Sequence, residues 1–185
     1  MKNVAKAVFL DRDGTLIKTR VSEGRPYAIN KLEDIEIELG VPEGCSELIK
    51  NGFKLIMVTN QPDVASELCR EDDVTEINRY LEQVLGIVKS FVCYHSRQQN
   101  CFCRKPKPGM IFRAADEFAL ELSSCALIGD RAPDIQSAQV AGLSSALWID
   151  KGYREPTPEG SYVKVLNFEE ACFELLKSQK NHYYS

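Results

Sequence analysis

Short runs of consecutive apolar residues alternate along the chain with longer stretches in which apolar residues recur every three or four positions. The runs at 7–10, 55–58, 91–93, 126–128 and 146–149 predict five strands, and 162–166 predicts a sixth. Uninterrupted apolar runs of this length suit strands covered on both faces, as in a parallel sheet. Between them, three sets share the i, i+3, i+4, i+7 spacing of a one-sided helix: Ile77, Leu81, Val84, Leu85 and Val88; Ile111, Ala114, Ala115, Phe118, Ala119 and Leu122; Phe168, Ala171, Cys172, Leu175 and Leu176. All three are read as helices packed on a core. Pro42 and Pro133 suit helix first turns, where a missing N–H costs little, and Gly142 suits a helix end. Strand–helix alternation with short joins predicts a doubly wound α/β fold with a mainly parallel sheet. Residues 1–180 are read as one domain, and 181–185 as a flexible tail that holds His182.

Composition narrows the class. The chain has 185 residues, 44% hydrophobic and 27% charged, which is ordinary for a globular protein. A formal net charge of −4 counts against a nucleic-acid partner. No apolar stretch reaches the ~18–20 residues of a membrane helix, and no signal-peptide core opens the chain, so a cytoplasmic protein is expected. The 7 cysteines, an odd and unevenly spaced set, read as reduced thiols, some of them on a metal. A monomer is expected.

In open α/β sheets, ligands bind beyond the carboxyl ends of strands. Asp11-Arg12-Asp13-Gly14-Thr15 follows the first run, Thr59-Asn60-Gln61 the second, and Gly129-Asp130-Arg131 with Asp134 the fourth. Asp11 and Asp13, two apart, point the same way from an extended backbone. Such carboxylates repel unless a cation separates them, and Asp130 adds a third. A cluster of hard oxygens suits Mg²⁺, which pairs readily with phosphate, and a carboxylate can itself carry a phosphoryl group. Phosphoryl transfer also needs donors and positive charge. Thr59 offers a hydroxyl, and Lys105 an ammonium in a stretch that Pro106 and Pro108 are expected to hold extended. No G-x-x-x-x-G-K-[ST] loop is present, which disfavours a nucleotide P-loop.

Cys93-x-His95 and Cys101-x-Cys103 flank a loop of five residues, 96–100. Three sulfurs and one imidazole suit a closed, tetrahedral, structural Zn²⁺. The basic residues Arg97, Arg104, Lys105 and Lys107 lie close enough in sequence to offset its net negative charge. Cys45, Cys69, Cys125 and Cys172 read as small buried hydrophobes.

FLDRDGTL at 9–16, MVTNQ at 57–61, RKPKPGM at 104–110 and IGDRAPD at 128–134 together resemble the haloacid dehalogenase superfamily of phosphohydrolases. DRDGT, CRKPKPGM and the Cys/His cluster are most similar to the branch of heptose-bisphosphate 7-phosphatases and histidinol-phosphate phosphatases. The resemblance implies that Asp11 attacks phosphorus and that Asp13 gives and takes the proton. It implies that Asp11, the backbone carbonyl of Asp13 and Asp130 hold Mg²⁺, that Thr59 and Lys105 stabilise the phosphoryl group, and that Arg104 helps to recognise substrate. Asn60 and Gln61 belong with the same substrate-binding motif. Asp134 either orients the metal shell or caps the helix that begins at Pro133.

Superfamily caps follow the first or second motif. Only 48 positions separate Asp11 from Thr59, and 46 separate Thr59 from Lys105, which leaves no room for a large cap. An open site is expected, shaped by the zinc loop and by residues 18–30, which read as a loop. Thr19 and Arg20 occupy the segment where relatives touch substrate, and Arg20 or Arg25 matches a second phosphate. Two departures bear on the substrate. The zinc loop is shorter than expected for heptose-bisphosphate enzymes, and Gln61-Pro62-Asp63 stands where Gln-Ser-Gly is expected, with Pro62 lacking an N–H. The expected substrate is a sugar phosphate, foremost D-glycero-D-manno-heptose 1,7-bisphosphate, with histidinol phosphate second. A zinc-ribbon nucleic-acid module and a catalytically silent scaffold are the readings from other classes.

Overall fold

The computed structural model describes residues 5–181; of the expected tail 181–185, Asn181 ends the last helix and the rest, with His182, lies outside the described residues. Six strands form one parallel sheet: β1 (Ala7–Leu10), β4 (Lys54–Asn60), β5 (Lys89–Cys93), β6 (Ala126–Gly129), β7 (Ser145–Ile149) and β8 (Val163–Val165). Their spatial order is β5-β4-β1-β6-β7-β8. Among the parallel strands this is the 3-2-1-4-5-6 order of a doubly wound sheet, which reverses direction between β1 and β6. Successive residues on each strand feed opposite layers. Val8 and Leu10 face a core with Leu55, Met57, Ile128 and Leu147, whereas Phe9 packs with Ile56, Val58, Leu127 and Trp148. Helices α1 (Val41–Lys50), α2 (Glu71–Leu85) and α5 (Phe168–Asn181) close the first layer, and α3 (Gly109–Phe118) and α4 (Ala132–Ala141) the second.

All six expected strands are present. Pro42 and Pro133 stand in the first turns of α1 and α4, and Gly142 ends α4 in the left-handed conformation. The helical stripes are shorter than their sequence spacing suggests. Gly86, left-handed at φ 69°, stops α2 before Val88, whose N–H instead bonds the Leu55 carbonyl. Val84 faces outward, and Asn78 takes a buried place in the stripe. Ala119, at φ 49°, ends α3 before Leu122. Cys45, Cys125 and Cys172 are buried as expected, but Cys69 is partly exposed.

Between β1 and β4 the chain makes only a hairpin, a single 3₁₀ turn at 32–34 and α1, in agreement with the absence of a large cap. The hairpin, β2 (Arg20–Ser22) and β3 (Arg25–Tyr27), replaces the expected loop. Glu23 and Gly24 both take positive φ, 53° and 78°, as a two-residue hairpin turn requires. The Gly24 carbonyl accepts a 2.7 Å bond from the Arg154 N–H, which ties the tip to the segment after β7.

Candidate active site

The carboxyl ends of β1, β4 and β6 meet where the strand order reverses. Asp11 leaves β1, its N–H bonding the Ile128 carbonyl at 3.1 Å, so the two central strands hold its backbone. Asp130 leaves β6, and Asp134 follows in the first turn of α4. One oxygen from each of Asp11, Asp130 and Asp134 lies within 4.8 Å of the others. All three residues are buried. Gly14 makes this approach feasible. Its φ of 87° is left-handed, and a Cβ there would sit 1.9 Å from Asp130 Oδ2.

Lys105 reaches into the cluster from the segment before α3. Its Nζ bonds Asp11 Oδ1 at 2.5 Å, Asp134 Oδ1 at 2.6 Å and the Val58 carbonyl at 2.7 Å. Asn60 fixes the backbone of Lys105 reciprocally: its Oδ1 accepts from the Lys105 N–H and its Nδ2 donates to the Lys105 carbonyl, both at 3.1 Å. The stretch around Lys105 is a turn, not the expected extended segment. Lys107 N–H closes on the Arg104 carbonyl at 2.9 Å, and the Lys105–Pro106 peptide is cis. Pro106 thus occupies the third position of a four-residue turn.

Asp134 caps its helix, one of the two expected roles, and pairs with Lys105 besides. One oxygen pairs with Lys105, and the other accepts the Arg131 N–H at 3.0 Å as a helix cap. Asp13 points to a different neighbourhood. Its Oδ2 accepts from Gln61 Nε2 at 2.7 Å and from Arg12 Nε at 3.0 Å, and its Oδ1 accepts from Ile29 N–H at 3.1 Å. The same Gln61 nitrogen donates to Thr59 Oγ1 at 2.9 Å. Gln61 is wholly buried, so it acts from behind Asp13 and Thr59.

The charges are unbalanced. Three carboxylates face one ammonium, a deficit of two positive charges if all are ionised. Burial first, then the charge of Asp134, pushes the Asp11 carboxyl up to about 6 against the pull of Lys105. Burial, then the charges of Asp11 and Asp134, raises Asp130 well above the carboxylate range. Burial disfavours the Lys105 ammonium, but Asp11 and Asp134 outweigh it and hold its pKa above the usual lysine value. Asp130 Oδ2 is buried and has no hydrogen bond of ordinary geometry, with the Tyr153 hydroxyl as the polar group beside it. A buried carboxylate oxygen without an ordinary hydrogen bond, hard ligands and a missing double positive charge fit Mg²⁺.

A cleft of about 550 Å³ opens above this centre. Asp11, Asp13, Thr59, Asn60 and Lys105 form its floor, Thr19 and Tyr27 belong to the hairpin wall, and Arg97, Arg104, Lys107 and Arg131 supply cationic lining. Arg20 and Arg25, expected near a second phosphate, are not among the lining residues; Arg20 lies over the Tyr27 ring at 5.8 Å. Beside the cleft, Cys93, His95, Cys101 and Cys103 converge. Sulfur and Nδ1 separations run from 3.2 Å for Cys103–His95 to 3.6 Å for Cys93–Cys101 and Cys93–His95. Ligands ~2.0–2.3 Å from a tetrahedral zinc stand about this far apart. The cluster reaches the cleft through Arg104, whose Nη1 donates to the His95 carbonyl at 3.1 Å. Gly109 admits the loop against α3, since a Cβ there would lie 2.5 Å from the Phe102 carbonyl oxygen.

Arg12, Asn78 and Tyr153 escaped sequence reasoning. Arg12 stands in the first motif with no role assigned to it, and Asn78 draws no reading, although a polar residue inside an apolar face is itself a signal. The Tyr153 hydroxyl lies beside the Gly14–Asp130 contact. Burial and the Asp130 charge raise its pKa, so it remains a neutral phenol.

A sheet that reverses between two acidic strand ends, with a buried lysine paired to Asp11 and Asp134 beside them, defines a hydrolase of phosphoryl type. The chain belongs to the haloacid dehalogenase-like hydrolase family, whose model matches residues 27–142. More particular likenesses point to one branch. The D-glycero-β-D-manno-heptose-1,7-bisphosphate 7-phosphatase of Helicobacter pylori is 32% identical, covering 95% of this chain and 99% of its own. The Escherichia coli enzyme of the same name is 31% identical over 86% of each chain. The α-anomer enzyme of Campylobacter jejuni is 32% identical over 81% of this chain and 86% of its own. The D,D-heptose 1,7-bisphosphate phosphatase of B. bronchiseptica, solved with magnesium and phosphate, superimposes with a TM-score of 0.79 at 22% identity. It covers 95% of this chain and 99% of that one, which establishes the shared fold.

Proposed function

We propose that the protein is a Mg²⁺-dependent phosphatase that removes the 7-phosphate of D-glycero-D-manno-heptose 1,7-bisphosphate. The observation that carries this reading is the convergence of Asp11, Asp130, Asp134 and Lys105 around a buried carboxylate oxygen without an ordinary hydrogen bond. Asp11, Asp130 and the backbone carbonyl of Asp13 would hold Mg²⁺, which supplies positive charge to the phosphoryl oxygens when bound. An oxygen of Asp11 attacks phosphorus and forms an aspartyl-phosphate as the ester bond breaks. The leaving oxygen keeps the bonding electrons and takes a proton from Asp13. Asp13 then takes a proton from water as that water bonds phosphorus and releases Asp11. Thr59 and Lys105 stabilise the transferring group.

The cationic lining supports an anion at both ends of the substrate. Arg104, with Lys107 and Arg97 beside it, replaces Arg20 as the best-placed partner for the second phosphate, and Thr19 remains a substrate contact. Zn²⁺ on Cys93, His95, Cys101 and Cys103 would hold the Arg104 turn in place. No helix among the described residues is long and apolar enough to cross a membrane. The same reading places the enzyme in the cytoplasm, where thiols such as these stay reduced and available to a metal, and takes the protein as a monomer built on a single domain.

Phosphate release from purified heptose 1,7-bisphosphate and from histidinol phosphate, with Mg²⁺ present and metal content measured on the same sample, tests the reading. Preferred hydrolysis of the heptose compound is expected. Equal or greater turnover of histidinol phosphate would contradict it. The relatives named above bear the heptose name for both anomers, so the same assay is run on α and β forms.

A further inference from the structure

Arg12 has the largest fully buried side chain among the described residues. A guanidinium out of water is costly unless its donors are met. Nη1 donates to Asn78 Oδ1 at 3.2 Å, Nη2 to the Ile29 carbonyl at 3.0 Å, and Nε to Asp13 Oδ2 at 3.0 Å. Nη2 also donates to Asp13 Oδ1 at 3.3 Å. Asn78 is 4% exposed and stands in the buried face of α2 between Ile77 and Leu81, where packing alone asks for an apolar side chain. Two groups that are expensive to bury have thus been buried together, directly behind one carboxylate.

Both oxygens of that carboxylate are held. Oδ2 accepts from Gln61 at 2.7 Å and from Arg12 Nε at 3.0 Å. Oδ1 accepts from Ile29 N–H at 3.1 Å and from Arg12 Nη2 at 3.3 Å. Arg12 therefore grips Asp13 through both oxygens, in the forked geometry a guanidinium offers a carboxylate, while its remaining nitrogen is held by Asn78.

We propose that Arg12 and Asn78 form a positioning pair that fixes the Asp13 carboxyl group in the orientation from which it gives and takes the proton. The inference rests on the reading of Asp13 as acid and base. In the first step the proton leaves Asp13 for the ester oxygen, which keeps the electrons of the broken P–O bond. In the second, Asp13 takes a proton from the attacking water. Asn78 acts through Arg12 and touches no reacting atom, so both are positioning residues.

Leaving-group dependence separates positioning from general structural support. A sugar alkoxide needs a proton to depart, whereas p-nitrophenolate departs without one. Asp13→Asn should lower kcat for heptose 1,7-bisphosphate by at least ~10²-fold and affect p-nitrophenyl phosphate far less. Asn78→Leu, which suits the apolar face of α2, should lower kcat for the heptose compound by roughly tenfold with KM unchanged, and for the aryl ester by less than about twofold. Asn78→Asp, which keeps an acceptor for Arg12, should restore most of the loss. Arg12→Lys should repeat the Asn78→Leu pattern, since one ammonium cannot span Asp13, Ile29 and Asn78 together. Equal losses on both esters in Asn78→Leu and Arg12→Lys, beside a normal Asp13→Asn profile, would overturn the positioning pair and leave the phosphatase reading intact. A flat Asp13→Asn profile would overturn the acid–base role of Asp13 and this inference with it.

Discussion

Asp11 and Lys105 illustrate how much of the chemistry depends on burial. Both lie almost wholly inside the protein. Removing one partner of a buried ion pair costs about 3–5 kcal/mol, because the survivor is left uncompensated. Lys105→Met strands three carboxylates, so urea unfolding without Mg²⁺ should show a loss of that order; unchanged stability would refute the ion-pair description. The Asp11 carboxyl, pushed up to about 6, yields a pH prediction. Metal must compete with a proton there, and the proton is bound below the folded pKa. Mg²⁺ affinity measured by titration calorimetry should therefore fall as pH drops from about 7.5 to about 5.5. Constant affinity across that window would mean that Asp11 does not ligate the ion. Gly14→Ala adds a Cβ 1.9 Å from Asp130 Oδ2 at a left-handed φ. It should abolish turnover and lower stability by ~1–3 kcal/mol in thermal unfolding.

At the scale of elements, legibility followed burial. Strands β1, β4, β6 and β7 are continuous apolar runs, and sequence located each to within two residues at either end. The β2–β3 hairpin was invisible because its residues are mostly exposed and carry no alternating apolar face. Its signal lay in Glu23-Gly24, a weak form of a two-residue turn. The acids proposed for catalysis were readable as residues at or just past strand ends, since the rule that ligands lie beyond carboxyl ends needs no coordinates. Arg12 and Asn78 were not, because only tertiary packing brings α2 behind the β1 end. The Cys/His cluster was readable as four side chains able to hold Zn²⁺; the particular contact that ties it to Arg104, through the His95 carbonyl, needed the folded structure. That link predicts a specific defect. Cys101→Ser should reduce bound zinc and loosen the His95 carbonyl that holds Arg104. KM for a bisphosphate should rise more than KM for a monophosphate, as read from steady-state kinetics. Equal effects on both would detach the loop from substrate recognition.

At the scale of the whole molecule, one topological feature gathers the site. Reversal of strand order between β1 and β6 opens the crevice that Asp11 and Asp130 share. The connections after β1 and β4 are too short for a large cap, so the hairpin and the zinc loop together wall the cleft. Membership in the hydrolase family agrees with this plan, and the named relatives match most of the chain. The central claim is that Asp11 becomes covalently phosphorylated during turnover. Rapid acid quench of the wild-type protein turning over heptose 1,7-bisphosphate with Mg²⁺, followed by peptide mass mapping, tests it most directly. The account predicts one phosphoryl group on the peptide that contains Asp11, and neither that group nor phosphate release in Asp11→Asn. Phosphate release persisting in Asp11→Asn, or a phosphoryl group on a peptide without Asp11, would contradict it.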